Sequence, residues 1–306
     1  MSAGTTGPLR RVFRLTALAV VLGVAMVIVP NSSVAPAESM LVKVQHAHGV
    51  DLSPDVVWIL ALGSDARPGE NMTRTRADAI QLVGINTRTG AAAAIGIPRD
   101  SYVAIDGVGS NRINASLYYG GPKLMARSVG NLIGIEPDYV LLTGFEGLQR
   151  MVKGIGGITV DNPVAFSDVH LKAKGFPAGK IHLDGYTAMA FSRIRHNLAG
   201  GDFDRSANQQ RTLKGILKKI RKHADRPGFM EAGVHSVLAN MATDLSPAEL
   251  FRIAQAVAQV DPKKVTNCVL KGGFGNVGGA SVVIPDRAMA RRFGDEARKD
   301  ATLERC

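Results

Sequence analysis

Seven apolar residues at positions 56–62 form an unbroken run that stops at Gly63, Ser64 and Asp65. A run of this length without alternating polar side chains is typical of a β-strand that is buried on both faces. Such a strand needs neighbouring strands at its edges and further layers over its faces. We therefore expect the chain to build a layered domain around it.

The segments that follow predict an α/β domain. Residues 78–86 and 91–98 are strand-like, and the four residues between them end in Gly90, which suits a hairpin loop. A capping box begins at Ser246 and opens a helix to about residue 260. Further helical periods cover residues 122–133, 145–152, 186–194 and 204–223, and further strand-like segments cover 265–270 and 281–284. Strands and helices alternate, which indicates one domain over residues 56–300.

The N-terminal segment predicts export. Arg10, Arg11 and Arg14 precede residues 15–29, which carry no charge and are almost entirely apolar. This pattern favours a short membrane-spanning helix whose positive flank stays inside the cell. The alternative is a signal peptide that is cleaved near the small residues at 35–37.

With an uncleaved anchor, the protein is expected in the cell membrane as a single-pass protein with its domain outside. The predicted segments are a cytoplasmic basic tail at 1–14, a transmembrane anchor at 15–30, an extracytoplasmic stem at 31–55 and a catalytic domain at 56–300.

The net charge of +11 is local. The three N-terminal arginines contribute three of these charges, and residues 211–226 contribute six. In the predicted helix 204–223, the basic residues lie opposite an apolar stripe, so a solvated helix face explains most of the excess. A DNA-binding regulator is disfavoured, because the basic run lies beyond an export segment and no helix-turn-helix pattern is present. We expect no nucleic acid partner.

Two other features give weaker signals. Residues 273–278 satisfy a dinucleotide-binding fingerprint, but a strand follows instead of the helix that the fingerprint requires, so a flexible hairpin loop is favoured. Cys268 and Cys306 are the two cysteines of the chain. In an exported protein they could form a disulfide, and two independent thiols are equally compatible with the sequence.

Arginine and aspartate residues stand where the apolar strands begin or end. Asp78 begins one strand of the predicted hairpin, and Arg99 and Asp100 follow the other, so antiparallel pairing places them at one edge. Solvated ion pairs are the usual explanation of such a cluster, but these charges adjoin the most apolar strands of the chain. The predicted cluster comprises Asp65, Arg67, Arg76, Asp78, Arg99 and Asp100, and a second group downstream comprises Arg193, Arg195, Asp202, Arg205, Gln209 and Gln210.

This combination of side chains suits a diphosphate. Guanidinium groups bind phosphate oxygens in a bidentate manner and keep their charge, and carboxylates can hold a hard divalent cation that bridges those oxygens. Phosphoryl transfer depends mainly on positioning and charge neutralisation, so several arginines and acids without an obvious nucleophile form a coherent site.

An ordered set of motifs over about residues 56–220 resembles the LytR-CpsA-Psr family. The matching segments begin at Gly63 (GSDAR), Arg76 (RAD), Ile97 (IPRDS), Arg112 (RIN, followed by Gly120 and Gly121), Leu183 (LDG), Arg193 (RIR) and Asp202 (DFDR, followed by Gln209 and Gln210). Two positions depart from the family pattern, since Asp204 stands where glycine is usual and Asn208 stands where arginine is usual.

The resemblance implies an α/β/α sandwich around a central mixed β-sheet, on an enzyme that is anchored in the membrane and faces outward. It also implies an activity, the Mg²⁺-dependent transfer of a phosphoglycan from a polyprenyl diphosphate in an apolar groove to a peptidoglycan hydroxyl. The implied metal ligands are Asp65 and Asp78; the implied catalytic residues are Arg99, Asp100, Arg193, Arg195 and Arg205; and the implied substrate-binding residues are Arg67, Arg76, Arg112, Asn114, Asp202, Gln209 and Gln210. Asp100 would act as a base or orient Arg99. The alternative function is a protein that binds anionic lipid-linked glycans without cleaving them.

Overall fold

The computed structural model describes residues 38–44, 55–67, 69–195 and 197–306. The strands are β1 (Ser39–Lys43), β2 (Val56–Ser64), β3 (Ala77–Asn86), β4 (Ala92–Gly96), β5 (Tyr102–Ile105), β6 (Gly109–Arg112), β7 (Tyr139–Thr143), β8 (Ile158–Asn162), β9 (Phe166–Asp168), β10 (Lys172–Phe176), β11 (Gly179–Leu183), β12 (Ala242–Thr243), β13 (Val265–Val269), β14 (Gly272–Val277) and β15 (Ala280–Pro285). The helices are α1 (Ala115–Ile133), α2 (Phe145–Gly154), α3 (Gly185–Arg193), α4 (Asp202–His223), α5 (Phe229–Asn240), α6 (Pro247–Gln259) and α7 (Arg287–Asp300).

The apolar run at 56–62 forms β2, near the middle of a mixed sheet. The strand order is β12-β1-β7-β2-β3-β4-β13. Strand β2 pairs in parallel with β7 and antiparallel with β3, and β3 pairs antiparallel with β4. The predicted hairpin and the mixed sheet are therefore confirmed.

Helices cover both faces of this sheet. Successive side chains of β2 point to opposite faces, so an apolar strand presents apolar side chains on both, and each face needs a packed layer. Trp58 is fully buried and packs in one core with Val129 of α1 and Phe293 of α7. On the other face, Ile59 packs in a second core with Ala256 of α6 and with Leu217 of α4. The expected α/β/α sandwich is confirmed for the described part of the chain.

A smaller core lies beside the sandwich, among strands β8–β11 and helices α2, α3 and α4. Phe166, Phe176 and Phe191 form an aromatic cluster with ring centroids 5.2–5.4 Å apart. Ile216 of α4 also packs in this core. Helix α4 therefore joins the smaller core to the central sheet, which holds its N-terminal turn in place.

Two boundaries differ from the sequence prediction. The stem was expected to extend to residue 55, but Ser39–Lys43 forms β1 and pairs with β7 and β12. Five residues are too few to show a strand period among prolines, serines and alanines, so the sequence pattern missed this strand. Helix α1 also has a first segment, from Ala115, that the sequence did not predict. Gly120 and Gly121 have non-helical backbone angles and divide the helix, so the predicted helix at 122–133 is its second segment.

The glycine-rich segment is also more regular than expected. Residues predicted to form a flexible loop form strand β14, which pairs with β15 over its whole length. The turn is limited to Gly278 and Gly279, with φ angles of 59° and 81°. Positive φ at both central residues is the geometry of a tight hairpin turn, and glycine adopts it without strain.

The predicted tail at 1–14, the anchor at 15–30 and the alternative cleavage site at 35–37 lie outside the described residues. Within the ranges that the structure describes, no helix combines the length and the apolar character that a membrane crossing requires.

The two cysteines form a disulfide. Cys268 is buried in β13, and its sulfur is bonded to that of Cys306 near the C-terminus. The bond joins the end of the chain to an edge strand of the sheet. This decides between the two possibilities that the sequence left open.

We expect Ser246→Ala to lower the free energy of unfolding by about 1 kcal/mol, because it removes the N-cap of α6. Ser246 Oγ accepts from the backbone N–H of Glu249, and the Glu249 carboxylate accepts from the backbone N–H of Ser246. Urea unfolding at pH 7 measures this loss. A threonine at the same position is the matched control and should retain most of the stability, since its hydroxyl can cap the helix.

The same cap makes part of the stability dependent on pH. The backbone N–H of Ser246, followed by Lys43, lowers the pKa of Glu249 to about 2. A carboxylate with a depressed pKa stabilises the folded state above its ordinary pKa of 4.5 and loses this contribution as the pH falls towards 2. We expect Glu249→Gln to show a smaller loss of stability over that range than the unsubstituted protein. An equal loss would contradict the assignment.

Candidate active site

The ends of β2 and β3 bring Asp65 and Asp78 together. Gly63 pairs with Ala79 but Ser64 pairs with Ala77, so Asp78 is the extra residue of a β-bulge. A bulge turns a side chain away from the regular alternation of its strand. Asp65 follows β2, and its carboxylate accepts from the backbone N–H of Arg76 at 3.0 Å. Both carboxylates therefore lie at one end of the sheet.

Arg99 connects this pair to the next acidic residue. It follows β4, and its guanidinium forms an ion pair with Asp78 across the hairpin. Arg99 Nε lies 3.8 Å from Asp100 Oδ2, and Arg112 Nε lies 3.7 Å from Asp100 Oδ1. An unbroken chain of charges thus runs from Asp78 through Arg99 and Asp100 to Arg112.

The electrostatic environment keeps Arg99 charged. Burial lowers its pKa, but Asp78 and Asp100 outweigh burial, so the pKa lies above its ordinary value. The Nε atom of Arg99 is buried without a hydrogen-bond partner among the described residues. A buried donor without a partner carries an energetic cost, and an anionic oxygen bound beside it would remove that cost.

The second predicted group joins the first at the start of α4. The backbone N–H of Arg99 donates to Asp202 Oδ2 at 3.1 Å, although the two residues are 103 positions apart. Arg205, one helical turn after Asp202, forms an ion pair with the same carboxylate. Arg195 is exposed, and it is near enough to Arg205 to lower its pKa.

The ion pair of Asp202 and Arg205 is nearly sealed from water. Arg205 is only 4% exposed. Burial raises the pKa of Asp202 and lowers that of Arg205, and each partner opposes the shift of the other. These directions agree, since burial disfavours both charged forms and the pairing restores them. Neither charge is stable there without the other.

The glutamines attach α4 to the sheet. Gln209 Nε2 donates to the backbone oxygens of Asp78 and Ser192, both at 3.3 Å. Gln81, in the middle of β3, donates to Gln209 Oε1 at 3.2 Å. Gln210 Nε2 donates to the backbone oxygen of Cys268 at 2.8 Å. The glutamines thus hold α4 in register with the strands that carry the aspartates.

The close approach of α4 requires a glycine in β4. A Cβ atom at Gly96 would lie 2.5 Å from Ser206 Oγ and 3.0 Å from Gln210 Nε2. A larger residue at this position would displace these two side chains and disturb the hydrogen bonds by which they attach α4 to β3, β4 and β13.

An apolar cavity that opens to solvent ends at these charges. It lies between strands β2, β3 and β7 and helices α2, α3 and α4. The groups at its polar end are Asp78, Arg193, Arg205 and Gln209, and its apolar lining includes Ala61, Leu62, Leu141, Phe145, Leu148, Met151, Met189 and Leu213.

Arg193 lies over an aromatic ring of this cavity. Its guanidinium carbon is 4.1 Å from the centre of the Phe145 ring, within cation–π distance. The hydrophobic pattern did not reveal Phe145 or the other apolar lining residues, because such side chains on helices are indistinguishable from core residues. It also missed Gln81, although a glutamine inside an otherwise apolar strand was a visible signal.

The remaining predicted residues lie around the cluster in different ways. Asn114 is buried, and its backbone joins the Arg99 loop to β3, accepting from Ala77 N–H and donating to Arg99 O. Arg76 and Arg67 are exposed on the loop between β2 and β3. In the described part of the chain, neither forms an ion pair with the cluster.

The two departures from the family motif have structural partners. The carboxylate of Asp204 accepts from the backbone N–H of Gly200 at 2.7 Å and so closes the loop before α4. Asn208 is buried, and its Oδ1 atom accepts from Arg211 at 2.7 Å. Neither contact involves Asp78, Arg99 or Arg205.

Asp65 and Asp78 fit a divalent cation that is shared with a ligand. Burial, followed by the charge of Asp78, raises the pKa of Asp65. Mutual repulsion of this kind is relieved by a cation between the two groups. Among the described residues, no three or more His, Cys, Asp or Glu side chains form a group that could hold a metal. Two carboxylates suit Mg²⁺, which commonly takes its other ligands from water and phosphate oxygens.

Comparison with known proteins identifies the family of the chain. The model of the LytR_cpsA_psr family matches residues 26–299. The chain belongs to the LytR-CpsA-Psr family. A curated relative of this family from Bacillus anthracis, named polyisoprenyl-teichoic acid–peptidoglycan teichoic acid transferase TagU, is 32% identical over 197 residues. That match covers 64% of this chain and 62% of the length of the relative.

Solved structures of the family share the fold. TagV from B. subtilis superimposes with a TM-score of 0.67 at 24% identity and covers 82% of this chain and 100% of its own. A structure described as TagT bound to LI-WTA has a TM-score of 0.66 at 25% identity and covers 85% of this chain and 96% of its own.

Proposed function

We propose that this member of the LytR-CpsA-Psr family transfers a phosphoglycan from a polyprenyl diphosphate to a hydroxyl of peptidoglycan and releases polyprenyl phosphate. One observation carries the proposal. The apolar cavity ends at Asp78, Arg193 and Arg205, so one molecule can place a hydrocarbon chain in the cavity and its diphosphate against the charges. Few ligands other than a lipid diphosphate match both halves of this site.

The names of the relatives support the same reading. The Bacillus anthracis relative is named as a transferase of teichoic acid from a polyisoprenyl carrier to peptidoglycan, and TagT has been solved bound to LI-WTA. The present chain spans 62% of the length of that relative, so the activity of the whole relative is proposed for this chain and is not carried over as established.

In the proposed reaction, the acceptor oxygen attacks the phosphorus next to the glycan. A new P–O bond forms, and the P–O bond to the bridging oxygen breaks, so polyprenyl phosphate leaves with the bonding electrons. Arg205 lines the polar end of the cavity and Arg99 is paired with Asp78 there, so both would help to neutralise the charge that develops on the phosphate oxygens. Gln209 holds the helix that carries Arg205 against Asp78.

The acceptor proton needs a base near the same oxygens. Asp100 lies within 4 Å of both Arg99 and Arg112. It either takes the proton of the hydroxyl or orients Arg99, as the sequence predicted. Asp202 is not suited to the role, because its carboxylate already accepts from Arg99 N–H and Arg205.

We further propose Mg²⁺ as the cofactor, held by Asp65 and Asp78. When bound, the ion would withdraw charge from the diphosphate oxygens. The proposed location is the outer face of the cell membrane, with the segment at 15–30 as a single anchor. Cell-wall acceptors lie on that side, and the positive flank at residues 10–14 favours this orientation.

The proposal is tested with the purified protein, a polyprenyl diphosphate-linked glycan and uncrosslinked peptidoglycan. We expect polyprenyl phosphate and glycan-linked peptidoglycan to appear together over many turnovers. Removal of divalent cations with EDTA should lower the rate at least about tenfold, and added Mg²⁺ should restore it. Asp65→Asn should raise the Mg²⁺ concentration that is needed for half-maximal rate.

A binding protein without catalysis would give a different result. It would retain one lipid per protein and release no polyprenyl phosphate, and that outcome would overturn the proposed transferase activity.

A further inference from the structure

We propose that a second cleft, beside the charged cluster, binds the saccharide strand that accepts the phosphoglycan. This inference rests on the proposed function and names the substrate site that the function requires. The cleft measures about 1080 Å³ including its open mouth. Its lining includes Arg76, Asn111, Arg112, Tyr118, Tyr119 and Val282.

The cleft and the apolar cavity lie at opposite ends of one chain of charges. Asp78 lines the cavity, Arg112 lines the cleft, and the ion pairs through Arg99 and Asp100 connect them. In phosphoryl transfer, the attacking oxygen approaches from the side opposite the leaving oxygen. A lipid phosphate that leaves towards the cavity therefore requires an acceptor that enters from another side, and the cleft at Arg112 is a second opening next to the same charges.

One wall of the cleft is hydrogen-bonded to the segment after β4 that carries Arg99 and Asp100. Val282 belongs to the β14–β15 hairpin, and the next residue, Val283, donates its backbone N–H to Asp100 O at 2.9 Å. The same hairpin contacts the start of α4, where the rings of Phe274 and Phe203 are 5.8 Å apart. The hairpin thus encloses the space next to Asp100.

Two tyrosines give the cleft the character of a carbohydrate site. Tyr118 and Tyr119 are 52% and 48% exposed, with their ring centroids 5.3 Å apart in an edge-to-face arrangement. Sugar rings present C–H groups on one face, which pack on aromatic rings, and hydroxyl groups at their edges, which need polar partners. Arg76 and Asn111 supply such partners within the same cleft.

The mixture of groups favours a saccharide over a second lipid. The apolar cavity has long aliphatic side chains on three helices, whereas the cleft combines arginines, asparagines and tyrosine hydroxyls. A peptidoglycan strand offers both hexosamine rings for the tyrosines and carboxylates for the exposed Arg76.

The test compares transfer to an acceptor with cleavage of the donor by water. The donor probe is a short-chain prenyl diphosphate that carries an N-acetylhexosamine disaccharide, and the acceptor probe is a preparation of uncrosslinked peptidoglycan oligosaccharides. For Tyr118→Ala/Tyr119→Ala we expect kcat/KM for the acceptor to fall at least about tenfold, with prenyl phosphate release in the absence of acceptor within about twofold of the unsubstituted protein.

Tyr186→Ala is the matched control, because Tyr186 is another exposed tyrosine at 46% exposure and is not among the residues that line the cleft. It should change neither activity. Thermal unfolding checks the fold of each variant, and the single variants Tyr118→Ser and Tyr119→Ser replace the double variant if that one does not fold.

Three results would overturn the proposal. If donor cleavage without acceptor falls in step with transfer, the cleft holds the glycan of the donor. If neither activity changes, the tyrosines bind no substrate. If the unsubstituted protein does not cleave the donor, the proposed function fails, and the cleft is then tested alone by saturation-transfer NMR with the same oligosaccharides. In that experiment, equal saturation-transfer signals from the unsubstituted protein and the double variant would overturn the proposal that the cleft binds a saccharide.

Discussion

Arg99→Ala is expected to reduce cleavage of the lipid diphosphate by roughly 10³-fold, which corresponds to about 4 kcal/mol of transition-state stabilisation. The side chain of Arg99 is only 18% exposed, and it joins Asp78 to Asp100. Its removal takes a fixed positive charge from the phosphate oxygens and leaves Asp78 unpaired beside Asp65. Release of polyprenyl phosphate under single-turnover conditions measures the effect.

Arg99→Lys separates charge from geometry. Lysine keeps the positive charge but cannot contact two oxygens with a planar fork, so we expect an activity between those of alanine and arginine. Arg88→Ala is the matched control, because Arg88 lies at the opposite end of the β3–β4 hairpin and pairs with Asp55 in an exposed position. An Arg99→Ala protein that retains full cleavage would exclude Arg99 from catalysis.

Arg205→Met is expected to lower the free energy of unfolding by about 3–5 kcal/mol, because it leaves the Asp202 carboxylate buried without its cation. The side chains of Arg205 and Asp202 are 5% and 11% exposed, so water can replace little of the lost pairing. Urea unfolding at pH 7 measures the loss, and the same variant should lose most donor cleavage.

The loss should depend on pH. Burial raises the pKa of Asp202 above its ordinary value of 3.8, and removal of Arg205 takes away the main interaction that opposes this shift. A group with a raised pKa in the folded state costs no stability while it is protonated, and it becomes costly as the pH rises through that pKa. The deficit of Arg205→Met should therefore be larger at pH 7 than near pH 4.

A double substitution distinguishes stability from function. Arg205→Met/Asp202→Leu removes both charges, so we expect it to recover most of the stability while it remains inactive. A double variant that is stable and active would show that the ion pair has only a structural role.

The local part of the site could be predicted because strand pairing follows from sequence. The hairpin at 78–98 has a short turn, and antiparallel register then places Asp78 and Arg99 at one end, as predicted, where they form an ion pair. The arginine and aspartate types also suggested phosphate and cation chemistry, because few other side chains provide permanent charge and hard oxygen ligands.

Long-range features were beyond the sequence pattern. The contact between Arg99 and Asp202 depends on how α4 crosses the sheet, where its Ser206 and Gln210 side chains lie against Gly96 of β4. The apolar cavity and the cleft at Tyr118 and Tyr119 were equally hidden, since a residue that lines a cavity and a residue that fills a core have the same composition and period. Strand β1 and the disulfide of Cys268 also required the tertiary structure.

The sequence by itself determined the hydrophobic pattern, the hairpin register and the charged groups, because these depend on neighbours along the chain. Only the tertiary structure decided that the two predicted sets of charged residues, one near Asp78 and one near Arg205, meet at the end of one apolar cavity. Their relative positions result from packing among helices and strands more than a hundred residues apart, and no local period encodes that packing.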